Sequence, residues 1–237
     1  MAKVKKALIF RGGWNGHDPI HVSERLAQLL EKNHIQTEIF DGLDCLADRE
    51  KLTTYDLIVP CFTMGKIPSE YVSNISWAVA HGTGLAGCHG GMCDAFREST
   101  EWQFMTGGQW VAHPGNTVEY TVNICRGANP ITEGIADFRV NSEQYYLHVD
   151  PAIEILATTR FPVANGYHAA NKPIDMPVVW TKYWGLGRVF YNSLGHTADV
   201  FRDLPSAEMM MERGMVWAAD GKAYAAAHGL DASVYEG

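Results

Sequence analysis

GLAGCHGGMCDAF, residues 84–96, carries the reading of the fold. A small apolar run leads into Cys88-His89-Gly90-Gly91 and then into Met92, Cys93, Ala95 and Phe96, the texture of a buried strand, a sharp turn and a helix. Gly87-Cys88-His89-Gly90-Gly91 has the spacing of a G-x-nucleophile-x-G elbow, in which residues without a Cβ flank a central side chain that projects over the sheet. Here the central residue is His89. Cys88 stands one residue earlier and points to the opposite face of a pleated strand, which predicts a buried thiol. Cys93 falls in the first helical turn, where the dipole can lower a thiol pKa, but Met92, Ala95 and Phe96 around it have the character of packing residues. A phosphate loop fits poorly, because the stretch lacks a Gly-Lys-Ser/Thr ending and is out of register for G-x-G-x-x-G. Backbone N–H groups at such a turn could still receive an anionic or carbonyl oxygen.

The same strand-then-helix alternation extends outward in both directions. KKALIF (5–10) ends in the glycine-rich RGGWNGHD, as a buried parallel strand does, and Asp18-Pro19 sit where an N-cap and a first helical residue are expected. Ile20, Val22, Leu26, Leu29 and Leu30 then recur at helical spacing over about 19–34. Strand-like QTEIF (36–40) and YDLIVPCF (55–62), helix-like 69–82, strand-like 84–89 and a helix over 91–105 complete a βαβ series with a mostly parallel sheet. Beyond Gly107 the pattern turns strand-rich, at 118–125, 143–149, 153–161, 177–184 and 187–196, and residues 206–221 close it as a helix. No internal repeat, low-complexity tract or linker interrupts the 237 residues, so one domain over 1–237 is expected.

Composition narrows the partners. The net charge is −8, and the basic residues gather only at Lys3, Lys5 and Lys6, which argues against nucleic acid or an anionic membrane. The early apolar run is too short for a signal peptide or a membrane span. The five cysteines, Cys45, Cys61, Cys88, Cys93 and Cys125, are scattered and odd in number, which suits reduced thiols in a cytoplasmic compartment.

In open parallel sheets ligands bind beyond the carboxyl ends of the strands, and those positions here are rich in histidine: His17, His89, His113, His148 and His196. A lone histidine is most simply a hydrogen-bonded core or surface residue, whereas five at such positions suggest a shared pocket. A second dense stretch, SEQYYLHV (142–149), read as one strand puts Glu143, Tyr145 and Leu147 on one face and Gln144, Tyr146 and His148 on the other. A carboxylate and a phenol on one face suit acid/base work or the binding of sugar hydroxyls; a strand with a polar side explains them equally well. A divalent metal is a further option, because His17, His89, Glu143 and His196 supply N and O ligands if they converge. The spacing does not demand it, since no HExxH or paired-cysteine signature occurs and the identity of any cofactor is open.

GGWNGHDP (12–19), GLAGCHGGMCDAFR (84–97), FMTGGQWVAHPG (104–115), NPITEGIADF (129–138), SEQYYLHVDP (142–151), PVVWTKYWGLGRVFYNSLGH (177–196) and RGMVWAA (213–219) together resemble the ThuA-like, trehalose-utilisation family, in one order from about residue 6 to about 220. The family is similar to class I glutamine amidotransferases, which implies an α/β, flavodoxin-like three-layer sandwich with a mostly parallel central sheet. Amidotransferases place a catalytic cysteine where this chain has His89, so a glutaminase mechanism is not expected. Carried over residue by residue, the resemblance implies catalytic roles for His17, His89, Glu143 and His196 and substrate-binding roles for Trp14, His113, Tyr145 and His148.

The resemblance also implies carbohydrate catabolism on a disaccharide or glycoside related to trehalose, or on its 3-keto derivative, by elimination, hydrolysis or isomerisation. The partner expected is a small-molecule sugar, with a functional link to a sugar dehydrogenase and a homo-oligomer both compatible. The alternative is a non-catalytic sugar-binding or regulatory protein on an amidotransferase-like fold that lacks the nucleophilic cysteine.

Overall fold

The computed structural model describes residues 4–127 and 129–235, so Lys3 lies outside the described residues. Among the described residues eleven strands form a nine-stranded sheet and a two-stranded one. Along the large sheet the order is β2 (Ile35–Asp41), β1 (Lys5–Gly13), β3 (Leu57–Thr63), β4 (Gly84–Cys88), β11 (Gly187–Asn192), β10 (Ile174–Trp184), β9 (Glu154–Phe161), β6 (Thr117–Ile124) and β7 (Phe138–Glu143). The first five run parallel, and β10, β9, β6 and β7 extend them as an antiparallel arm. The second sheet pairs β5 (Gly108–Ala112) with β8 (Tyr146–Val149).

The parallel strands are covered on both faces, and their side chains show it. Ala7 and Ile9 pack into one hydrophobic core with helices Pro19–Lys32 and Pro205–Ala219, while Leu8 and Phe10 pack into the other with helices Ser69–Ala80 and Thr100–Thr106. Leu57 and Val59 against Ile58, and Phe190 against Val189 and Tyr191, repeat the division, as period-two side chains in a three-layer sandwich must.

Two local expectations are corrected and one is qualified. The helix expected over 91–105 is two, His89–Cys93 and Thr100–Thr106. Between them the backbone pairs with the loop after β3 through Met64 N to Asp94 O and Phe96 N to Met64 O, and Phe96 takes a φ of 51°. Asp18 is the N-cap of the helix that Pro19 begins and its carbonyl accepts from Val22 N, but the side-chain cap is missing: at a φ of 48° its carboxylate meets His21 Nδ1 at 2.5 Å. Residues 143–149 are not one strand, because the chain leaves the large sheet at Glu143 and enters the small one at Tyr146.

The antiparallel arm decides where Glu143 goes. β7 lies five strand positions from β4, so in a flat sheet the two would be about 24 Å apart. Glu143 at the end of β7 nevertheless touches His89, which follows β4 directly, at 3.1 Å. The arm therefore coils back over the carboxyl ends of the parallel strands.

Candidate functional site: a carboxylate ringed by imidazoles

His89 occupies the elbow with a φ of 46°, a left-handed conformation that costs a non-glycine residue free energy and that the surrounding turn must impose. The glycines around it are explained by close approaches. A Cβ on Gly90 would stand 2.2 Å from His17 Nδ1, and one on Gly87 would stand 2.8 Å from the Met92 side chain. The tight turn thus lets the loop after β1, carrying His17, lie directly against the loop after β4.

Glu143 Oε2 is the meeting point of four imidazoles: His89 Nε2 at 3.1 Å, His113 Nδ1 and His196 Nδ1 each at 3.4 Å, and His17 Nε2 at 3.5 Å. His17 comes from the 3-10 turn Asn15–His17, His89 from the elbow, His113 from the loop after β5 and His196 from the loop after β11. Their rings also pack edge to face, with His17 to His89 centroids 4.7 Å apart and His17 to His196 5.1 Å apart. The side chains of His17 and His89 are 5% and 1% exposed, those of His113 and His196 27% and 25%. The first pair forms the floor and the second pair the rim.

Electrostatics fix the protonation of the floor. Burial pushes the Glu143 carboxyl up, but the imidazoles of His17, His196 and His89 gathered on it outweigh burial and hold it well below the usual carboxylate range, so it is an anion. Burial pulls His89 down to about 4 against the opposing hydrogen bond to Glu143, so its ring is neutral near pH 7. His89 Nδ1 lies 2.7 Å from the Ser193 carbonyl, which can only accept, so Nδ1 carries the proton. Nε2 of the neutral ring then presents a lone pair to a carboxylate oxygen.

Other groups complete the surroundings. Tyr145 stacks on His89 with centroids 4.0 Å apart, and its buried hydroxyl has no hydrogen-bond partner. Trp14 is 46% exposed and meets His17 edge-on at 4.8 Å, offering a flat apolar face beside the rim. Trp110 lies 5.4 Å from His113, and Arg97, paired with Asp94 at 2.5 and 3.0 Å, stacks on the other side of Trp110 at 4.3 Å.

Of the eight residues singled out in the sequence, His17, His89, His113, Glu143, Tyr145, His196 and Trp14 are brought together and His148 is not. His148 is exposed on β8, opposite Gln109. Cys88 and Cys93 are buried outside the ring, and burial pushes both thiols well up. Thr63, Ser193, Trp110 and Arg97 were not singled out. Trp110 shares its stretch with His113 and could have been; the Ser193 contribution is a backbone carbonyl, which no residue type announces.

His17, His89, Glu143 and His196 each present one donor atom, and these four atoms lie within 4.8 Å of one another, a set that could hold a metal ion. The larger depressions lie elsewhere among the described residues: one of about 740 Å³ is lined by residues between 124 and 137. Trp14, His113 and His196 form the part of the ring that reaches solvent.

The trehalose-utilisation family, ThuA, matches residues 6–218, a span that contains every member of the ring. The chain belongs to the ThuA family. Solved structures carry the same fold at low identity. A ThuA-like protein from Parabacteroides merdae is 20% identical with a TM-score of 0.74, covering 93% of this chain and 91% of that one. A ThuA-like protein from Bacteroides uniformis is 18% identical with a TM-score of 0.71, covering 92% of each chain. A cytoplasmic protein from Salmonella typhimurium is 13% identical with a TM-score of 0.61, covering 88% and 98%. No curated protein matches. Membership of the ThuA family gives the chain a carbohydrate-related role, and among the described residues no helix is long and apolar enough to cross a membrane.

Proposed function

We propose that the protein is a carbohydrate-catabolism enzyme acting on a disaccharide or glycoside related to trehalose, in its 3-keto form, by general acid/base chemistry at the Glu143 ring. The observation that carries this reading is the ring itself: a buried, ionised carboxylate with four imidazole nitrogens at 3.1 to 3.5 Å, two of them on histidines that reach the outside. A structural ion pair needs one partner. Four imidazoles on one carboxylate oxygen are a concentration of proton-carrying groups beyond what a structural contact requires.

A ketone at C3 acidifies the hydrogen on C2, so the first step asks for a base at the rim. His113 is assigned that role. The C2–H electron pair becomes the C1=C2 bond as the C1–O bond breaks, and the leaving oxygen takes up a proton from the site or from water. Addition of water across that double bond would complete a net hydrolysis. Glu143, whose proton affinity is held so low, is a poor base and is assigned to stabilising charge. Trp14 supplies a platform for a sugar face, and the unpartnered Tyr145 hydroxyl a hydrogen-bonding group.

Because a 3-keto sugar arises by oxidation at C3, the reaction would follow a sugar dehydrogenase. The five free cysteines support a cytoplasmic setting.

Trehalose, its 3-keto derivative and a panel of oxidised and unmodified disaccharides, incubated with the protein and followed by NMR, test this. Turnover of a 3-keto glycoside is expected, falling by about 100-fold or more in His113→Ala and Glu143→Gln with the melting temperature of His113→Ala kept. Binding of sugars with no turnover of any would replace this reading with that of a sugar-binding protein.

A further inference from the structure

The ring contains an unresolved repulsion. His89 Nε2 and Glu143 Oε2, 3.1 Å apart, both present lone pairs once His89 Nδ1 has donated its proton to Ser193 O. At His17, Nδ1 is engaged by Thr63 Oγ1 at 3.0 Å, a hydroxyl that can donate or accept, and buried Nε2, 3.5 Å from Glu143 Oε2, has no hydrogen-bond partner. His196 Nδ1 is likewise buried and without a hydrogen-bond partner. Unpartnered buried nitrogens are costly, and His17 Nε2, His196 Nδ1 and, at the rim, His113 Nδ1 all converge on one carboxylate, which asks for something positive between them.

We propose that His17 Nε2, His89 Nε2, His196 Nδ1 and Glu143 Oε2 are the ligands of a divalent transition-metal ion. This deepens the functional reading above, resting on the same ring being the reactive site. Neighbouring ligands of an ion bound at about 2.1 Å stand about 3.0 to 3.4 Å apart, and those facing each other across it about 4.2 Å. The carboxylate-to-imidazole distances of 3.1, 3.4 and 3.5 Å lie in or next to the first range, and the outer limit of 4.8 Å exceeds the second by about 0.6 Å, the movement that binding an ion would ask of these side chains.

The supports behind the ligands are those a metal site uses. His89 and His17 are each held at the ring nitrogen opposite the donor, which orients both rings and, through the Ser193 carbonyl, sets the tautomer of His89. Gly90 leaves the space His17 occupies.

Three imidazoles and one carboxylate favour zinc, manganese, cobalt, nickel or iron over magnesium or calcium, which take oxygen ligands. Four protein donors leave one or two coordination positions, and the exposed His196 rim is where they open. Adjacent keto and hydroxyl oxygens of a sugar are suitable ligands there. His113 lies outside the donor set and remains available for proton transfer.

The protein is stripped with chelator, dialysed separately against Zn²⁺, Mn²⁺, Co²⁺, Ni²⁺, Fe²⁺ under anaerobic conditions, and Mg²⁺, desalted and analysed for metal. About one transition-metal ion per chain is expected in wild type and in His228→Ala, an exposed control, with tenfold less in His89→Ala and Glu143→Ala. The visible spectrum of the Co²⁺-loaded wild type, with bands of nitrogen and oxygen ligation, requires no variant to fold. Absence of retained ion in wild type with every metal, or equal retention in the folded variants, overturns the proposal. Metal retention without sugar turnover leaves the metal site standing and overturns the functional reading; turnover by a metal-free protein does the reverse.

Discussion

At the residue scale, the turn at residues 87–91 carries more constraint than its glycine spacing alone reveals. The elbow pattern marked His89 as the projecting residue, and its ring meets Glu143; Cys88, expected as a buried thiol, is buried in the core that helix Pro19–Lys32 covers. What it did not show was why Gly90 must be glycine: its backbone φ is unremarkable, and the reason is His17, which comes from a loop more than seventy positions earlier in the chain. Such a contact has no local signature. It gives a sharp expectation for Gly90→Ala, whose methyl group would overlap the His17 ring. Stability should fall by about 1 to 3 kcal/mol in denaturant titrations, and activity should fall at least about tenfold because His17 is displaced from Glu143. Gly42→Ala would be a poor comparison despite its open surroundings, since Gly42 has a φ of 83°; Gly90 isolates the steric effect.

At the scale of elements, the apolar strands and amphipathic helices of the parallel half were legible because each buries a periodic face. The stretch at 142–149 was legible in its faces and misleading in its continuity. Glu143 and Tyr145 both reach His89, yet the chain changes sheets between Glu143 and Tyr146, and His148 is thereby carried to an exposed position on the second sheet.

The second sheet is tied to the first by Lys182 of β10, which is buried and bonded to the Asp150 carboxylate and the Phe104 carbonyl. Burial pushes the Asp150 carboxyl up, but the hydrogen bonds from Lys182 and the Ala152 N–H outweigh burial and hold it below its ordinary value. A carboxyl depressed in the folded state stabilises at pH values above its unfolded pKa, about 3.9, and that contribution disappears as pH falls from there through the folded value. Asp150→Asn should therefore cost about 3 kcal/mol at neutral pH, through the uncompensated lysine. Its urea-unfolding curves should also lose part of the acid-side decline seen in wild type.

At the scale of the whole molecule, the site exists because the antiparallel arm coils over the parallel half. His17, His89 and His196 follow parallel strands, where a sheet of this class binds ligands, and that part could be foreseen from strand order. The carboxylate could not, because β7 is the far edge of the sheet and only its coiling brings Glu143 home. The Tyr120 hydroxyl, donating to the Glu143 carbonyl at 3.2 Å, helps hold that edge. Tyr120→Phe should cost about 1 kcal/mol in stability and lower kcat more than it raises KM if it shifts the carboxylate, which steady-state kinetics on the active sugar would read.

Proton removal from C2 at the Glu143 ring is tested most directly by following the C2 hydrogen of 3-keto-trehalose by NMR in the presence of the protein. The expected result is enzyme-dependent loss of that C–H signal from the substrate, about 100-fold slower in His113→Ala that remains folded. A C2 hydrogen that wild type leaves in place while the sugar is bound, or one lost equally fast with His113→Ala, contradicts it.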